Sequence, residues 1–230
     1  MAKIFVSAGH GGKQPGAVNG KLIEKNFTLE IANRLAKLLR DAGHTVVQNR
    51  TTDVDCTPEK ATQLANSSGA DLFVEIHLNS FTQPSANGCE VYYYKGSKEG
   101  EKLANDICKS IAALGYRNRG AKANTSLYVV KNTKMTAVLV ECCFLSSPED
   151  MSKFDADKMA KAIYDGISKT FPAVEKPKEV KNPVDKNPSG QPGNEKFYRV
   201  QVGAFKEKTN AEKLAAELKN KGYPAIVVQS

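Results

Sequence analysis

Apolar residues along the first three quarters of the chain switch between two periods. Short runs rich in apolar, β-branched and aromatic residues fall at 3–7, 45–48, 71–78, 89–94, 127–130 and 137–142, and each predicts a strand. Helical stripes lie between them. Phe27, Ile31, Leu35, Leu38 and Leu39 share one face, and Gly43 is placed to end that helix. Residues 58–68 predict a helix with Pro58 near its start. Leu103, Ile107, Ile111 and Leu114 mark a third helix, and Met159, Ile163 and Ile167 a fourth. Strand–helix alternation of this kind predicts an α/β layered domain with a mainly parallel sheet. In such sheets functional groups collect at the carboxyl ends of the strands.

The pattern breaks after residue 172. Residues 173–194 are rich in Pro, Lys, Asn and Gly, with isolated apolar positions. That composition builds no core and predicts an extended linker. It separates a domain over 1–172 from a tail over 195–230. The tail reads as strand 197–203, helix 210–221 with Ala211, Leu214, Ala215 and Leu218 on one face, and strand 225–228. One βαβ unit of this size is too small to bury both faces alone.

Composition narrows the class. The chain has 230 residues, 40% hydrophobic and 25% charged. No run approaches the roughly 20 apolar residues of a membrane span, so no membrane partner is expected. The first residues lack the apolar length and cleavage site of a signal peptide, which predicts synthesis in the cytoplasm. Five cysteines at irregular spacing argue against a disulfide framework, and Cys142-Cys143 reads as a pair of small buried hydrophobes. The net charge of +8 and pI of about 9.1 suit an anionic partner, nucleic acid or cell-wall polymer.

The chemistry concentrates in a few residues. Of three histidines, His10 follows the first strand inside Gly9-His10-Gly11-Gly12, and His77 closes the strand ending Glu75-Ile76-His77. Both reach the carboxyl edge of the sheet. A catalytic zinc takes three protein ligands, His or carboxylate, and keeps a fourth position open. Glu24, expected in the loop before the first helix, is a candidate third ligand that the helix dipole also favours. Glu141 ends a strongly apolar strand, where a lone carboxylate is costly. It is a candidate general base and acid. His44 follows a helix stop and reads as a surface residue. The same strand-end placement serves structural histidines, so spacing alone leaves both readings open.

In combination these residues resemble the zinc-dependent N-acetylmuramoyl-L-alanine amidases of the amidase-3 family. The matching pieces are Gly9-His10-Gly11-Gly12, Glu24 before Asn26, Asn49-Arg50-Thr51-Thr52-Asp53, the strand Ala70 to Ser80, and Val138-Leu139-Val140-Glu141. The resemblance implies a twisted sheet of about six strands flanked by helices. It implies one zinc ion per chain on His10, Glu24 and His77, with Glu141 catalytic. It implies hydrolysis, by a zinc-activated water, of the amide between the lactyl group of N-acetylmuramic acid and L-alanine in peptidoglycan. Glu75 departs from the pattern, standing where Ser is common, and either adds negative charge near the site or points to bulk water. Ala61 stands where Arg is common, and Cys142-Cys143 replaces small polar residues. The tail, Phe197 to Phe205, resembles one half of a sporulation-related repeat (SPOR), a glycan-binding module. Two chains could combine their halves as a homodimer.

Without a signal peptide, such an enzyme would reach the wall after release or membrane permeabilisation, as a phage endolysin or a mother-cell autolysin in sporulation. The alternatives are a non-catalytic wall-binding protein, or a zinc carboxypeptidase acting on the stem peptide. Nucleic acid is disfavoured as a partner, because no recognition motif accompanies the charge.

Overall fold

The computed structural model describes residues 1–83, 85–173, 205, 207–220 and 225–227. The chain divides into two compact units, Met1–Val180 and Lys181–Ser230. In the first unit the strands are β1 (Lys3–Ala8), β2 (Val18–Asn19), β3 (Leu22–Ile23), β4 (Thr45–Gln48), β5 (Leu72–Asn79), β6 (Cys89–Tyr94), β7 (Asn118–Asn124) and β8 (Thr136–Phe144). Its helices are α1 (Glu24–Asp41), α2 (Pro58–Ser68), α3 (Lys98–Ala112), α4 (Tyr128–Asn132), α5 (Pro148–Ser152) and α6 (Ala156–Ser168). In the second unit, α7 (Lys208–Asn220) half-buries Ala211, Leu214, Ala215 and Leu218, the face the periodicity marks. The expected tail strand 197–203 lies outside the described residues, as does the linker over 173–194 apart from its first residue; of the expected strand 225–228, residues 225–227 are described and form no strand.

Six strands form one sheet in the order β4-β1-β5-β8-β6-β7, and β2 and β3 form a small hairpin. Every pairing in the large sheet is parallel except β6 with β8. The mostly parallel α/β sheet expected from the alternation is therefore present.

Period-two alternation sends side chains to two cores. Ile4, Val6 and Ala8 of β1, Leu72, Val74, Ile76 and Leu78 of β5, and Val138 and Val140 of β8 enter the larger core. Ile31, Leu35 and Leu39 of α1, Leu103, Ile107 and Ile111 of α3, and Met159, Ile163 and Ile167 of α6 cover it. The opposite face holds a smaller core of Phe5, Phe73, Ala137 and Leu139 under Ala65 of α2 and Val129 and Val130 of α4. Phe5 and Phe73 stack with centroids 5.6 Å apart. On this second face the apolar residues occupy only the amino-terminal halves of the strands. The next positions on it are Ser7, then Glu75 and His77, then Glu141. The face changes from packing to chemistry within one strand length.

Helix boundaries follow local rules. Thr57 caps α2 by accepting from Lys60 N, Pro58 takes the first turn, and Gly69 closes it at φ 67°. Ser97 and Asp155 cap α3 and α6 in the same way.

Three expectations are corrected. Residues 127–130 form no strand: Asn124 Oδ1 accepts from Ser126 N and Leu127 N, the chain turns, and α4 drops Val129 and Val130 into the smaller core. The edge strand is β7 instead, which has no apolar run to announce it. Glu24 is not in a loop but is the first residue of α1. His44 is not a surface residue; it is buried, and its Nδ1 accepts from Ala2 N at 3.4 Å. All five cysteines are free and buried, Cys142 and Cys143 among them as small core residues.

Candidate functional site

His10 leaves β1 with φ 62°, a left-handed conformation that costs a non-glycine residue energy and collects at functional sites. A buried clamp holds it there. Arg50, 3% exposed, donates to the carbonyls of Ala8, Gly9 and Lys25 and to Thr28 Oγ1, tying the end of β1 to the first turn of α1. Asn49 pairs with Ala8 through both amide atoms. Lys25 bridges to Asp53 at 2.6 Å and donates to Gly12 O. Arg50→Ala would remove the charged donor shared by these groups and leave Ala8 O with Asn49, and Gly9 O and Lys25 O with Thr28 Oγ1, at about 1.5–3 kcal/mol for each charge-assisted hydrogen bond lost. The expected outcome is a fall in melting temperature and loss of the geometry around His10, checked by thermal melts and metal titration.

Two glycines permit the close approach at the centre. A Cβ on Gly9 would lie 2.4 Å from the His77 ring. A Cβ on Gly16, at φ +70°, would lie 2.4 Å from Glu24 Oε2 and 2.6 Å from the His10 ring. No side chain fits either position.

The three candidate ligands converge. His10 Nε2 lies 3.1 Å from Glu24 Oε2, and His77 Nδ1 lies 2.9 Å from Glu24 Oε1. The imidazoles meet edge to face with centroids 4.9 Å apart. One donor atom from each residue falls within 4.8 Å of the others. Glu24 is 4% exposed and also accepts from Ala17 N and Leu78 N. Burial pushes its carboxyl up, but the hydrogen bonds from His10 and His77 outweigh this and hold it far below the usual carboxylate range. Burial acts on His77 in the opposite sense, and Glu24 and Glu75 more than reverse it, so the imidazole is held well above its ordinary value. Two imidazoles and a carboxylate are the donor set of a hydrolytic zinc site.

Glu141 pairs in register with His77 on one side and with Glu90 on the other. Its Oε2 is enclosed and has no hydrogen-bond partner among the described residues. Burial raises its carboxyl to about 7; His77 opposes the rise, and Glu24, Glu90 and Glu75 add to it. An enclosed carboxylate with one oxygen unspent, beside three converging donor atoms, fits a site built to hold a cation and a reacting molecule. Glu75 does not point to bulk water. It is buried, accepts from Ser7 Oγ at 3.0 Å, and places Oε2 3.5 Å from His77 Nε2.

The sequence singles out His10, Glu24, His77 and Glu141; the structure brings atoms of the first three within 4.8 Å of one another and pairs Glu141 in register with His77. Three contributors were not singled out. Gly16 carries no motif. Arg50 stood inside a matched segment with no role. Glu90 shares the strand alternation of β6, the one signal that could have found it. It is 2% exposed and accepts from Arg119, Lys122, Tyr92 and Asn79.

The mostly parallel α/β sheet thus places two histidines and a carboxylate, a candidate metal-ligand set, at its carboxyl edge. The family profile described as N-acetylmuramoyl-L-alanine amidase matches residues 4–169, and a SPOR domain matches residues 194–230. The germination-specific N-acetylmuramoyl-L-alanine amidase of Bacillus subtilis (strain 168) is 34% identical over 73% of this chain and 79% of its own length. The sporulation-specific N-acetylmuramoyl-L-alanine amidase of the same organism is 32% identical over 99% of this chain and 85% of its own. The catalytic domain of CwlV, an N-acetylmuramoyl-L-alanine amidase from Bacillus (Paenibacillus) polymyxa var. colistinus, superposes with a TM-score of 0.70. It is 31% identical over 76% of this chain and all of that one. The chain belongs to the N-acetylmuramoyl-L-alanine amidase family.

Proposed function

We propose that this peptidoglycan hydrolase is a zinc-dependent N-acetylmuramoyl-L-alanine amidase. His10, Glu24 and His77 hold the metal, and Glu141 is its catalytic carboxylate. The observation that carries the reading is the convergence of two imidazole nitrogens on the two oxygens of one buried carboxylate, with the unspent Oε2 of Glu141 on the neighbouring strand. A zinc ion on those ligands supplies Lewis acidity toward the amide carbonyl and lowers the pKa of water.

The chain's own residues do the rest. Glu141, its carboxyl raised to about 7, takes a proton from the attacking water and returns it to the leaving nitrogen of L-alanine. Glu24 stays ionised, with the backbone N–H groups of Ala17 and Leu78 donating to its two oxygens. Arg50 keeps His10 in its left-handed turn. The amidase reading, and not carboxypeptidase action, is tested by product analysis on purified peptidoglycan. An amidase frees the amino group of L-alanine, whereas a carboxypeptidase releases residues from the other end of the stem.

We assign residues 1–172 to catalysis, 173–194 to a linker, and 195–230 to glycan binding through the SPOR-like tail. Removing 173–230 is expected to leave an active domain that binds wall less tightly. Co-sedimentation with purified wall checks this, and unchanged binding would contradict the targeting role. One relative that spans 99% of this chain, tail included, is named as sporulation-specific. That favours a mother-cell autolysin over a phage endolysin. Among the described residues no helix is long and apolar enough to cross a membrane.

A further inference from the structure

A cleft of about 320 Å³ opens among the last residues of β5 and β8, the chain that follows β5, and β7. Asn79, Phe81, Gln83, Ser85, Arg119 and Phe144 line it. Arg119 is held as a fixture of this cleft. Its Nε donates to Glu90 Oε2 at 2.6 Å, and its Cζ lies 4.9 Å from the centroid of the Phe144 ring. Those contacts fix the guanidinium plane. Its two terminal nitrogens have no hydrogen-bond partner among the described residues.

Glu90 is shared between Arg119 and Lys122, and it also accepts from Tyr92 and Asn79, so one carboxylate answers two cations. Phe81 adds a ring that is 55% exposed. A pinned guanidinium whose two terminal nitrogens are unpaired among the described residues, beside an open aromatic ring, suits a carboxylate on a short organic chain.

Strand order says which part of the substrate reaches it. His77 lies on β5, Glu141 on β8 and Arg119 on β7, with β6 between the last two. In the reading above, Glu141 protonates the leaving nitrogen, so the peptide side of the scissile bond lies on the Glu141 side of the metal ligands. Two strand spacings from β8 to β7 amount to about 10 Å. Two or three extended residues cover that distance.

We propose that this cleft is a subsite for the stem peptide, in which Arg119 pairs with a free carboxylate on one of the first residues after L-alanine and Phe81 covers the adjoining aliphatic chain. The proposal rests on the amidase reading of the site.

The test uses full-length, zinc-loaded protein and soluble muramoyl-peptide substrates in matched pairs. One pair differs only in carboxylate or carboxamide at the second stem residue, the other only at the third. Wild type is expected to prefer the carboxylate form of one pair by roughly 10- to 100-fold in kcat/KM. That pair identifies which carboxylate is bound. Arg119→Gln should abolish the preference by lowering activity on the carboxylate form alone. Phe81→Ala, at an exposed position outside both cores, should raise KM for the preferred form and leave kcat in place. Equal hydrolysis of both forms by wild type, a preference that survives Arg119→Gln, an equal loss on both forms, or no change with Phe81→Ala would each overturn the subsite. If wild type cleaves none of the substrates, the amidase reading itself fails, and the subsite with it.

Discussion

Glu141→Gln is expected to lower kcat by about 10²–10⁴-fold, the range that a positioned general acid–base supplies, while zinc stays at one ion per chain. The substitution keeps shape and removes the titrating oxygen, so metal content separates a catalytic loss from a structural one. It carries a second consequence that does not involve turnover. In the metal-free protein the folded carboxyl is raised to about 7 from an ordinary 4.5, chiefly by burial. A folded value above the unfolded one means that the folded state holds the proton more tightly. The stability contributed by that proton is fully present below pH 4.5 and is lost as pH rises through 7. Each pKa unit is worth about 1.4 kcal/mol, so the loss by pH 8 is on the order of 3 kcal/mol. Metal-free Glu141→Gln protein, which does not titrate, should therefore be more stable than wild type at pH 8, and the gap should close toward pH 4. Chemical denaturation in chelator at the two pH values measures this. A gap that is absent at pH 8, or that widens at low pH, would contradict the assignment of a raised carboxyl.

His77→Ala is expected to have the largest effect on the metal. It removes one of three donor atoms and leaves Glu24 Oε1 with Leu78 N as its remaining described partner. Zinc affinity should fall by more than about 100-fold, since loss of even an indirect partner of a metal ligand costs 10- to 100-fold. Activity should fall with it. His10→Ala should behave in the same way. A chelator should inactivate wild type, and added zinc should restore activity to wild type but not to His77→Ala at matched concentration. Equilibrium dialysis with metal analysis reads the affinity directly. Retention of one tightly bound zinc by either variant would remove that histidine from the ligand set.

The parts of the molecule that were legible in the sequence share a physical property. The α/β alternation, α2 with Pro58 at its start, and the stripes of α1, α3 and α6 are written in the chain's own periods. His10, His77 and Glu141 stood out because each is a polar residue at the end of an apolar strand. Residues whose meaning depends on distant partners were not legible. Residues 127–130 carry strand-forming side chains, but Asn124 turns the backbone just before them. β7 is a strand because β6 pairs with it, and its own residues are mostly polar. Arg50 is a clamp only once β1 and α1 meet, and Gly16 matters only because the His10 ring and Glu24 crowd the space a side chain would need. His44 looked like a surface residue because its burial comes from packing that the local sequence does not record.

The most direct test of the central claim is zinc content and product chemistry measured together on one preparation acting on purified peptidoglycan. The account predicts one zinc per chain, loss of activity on its removal, and new free amino groups that belong to alanine, with no new reducing sugar ends and no released terminal residues. A metal-free preparation that releases the same alanine amino termini, or a zinc-loaded one that releases none, would contradict it.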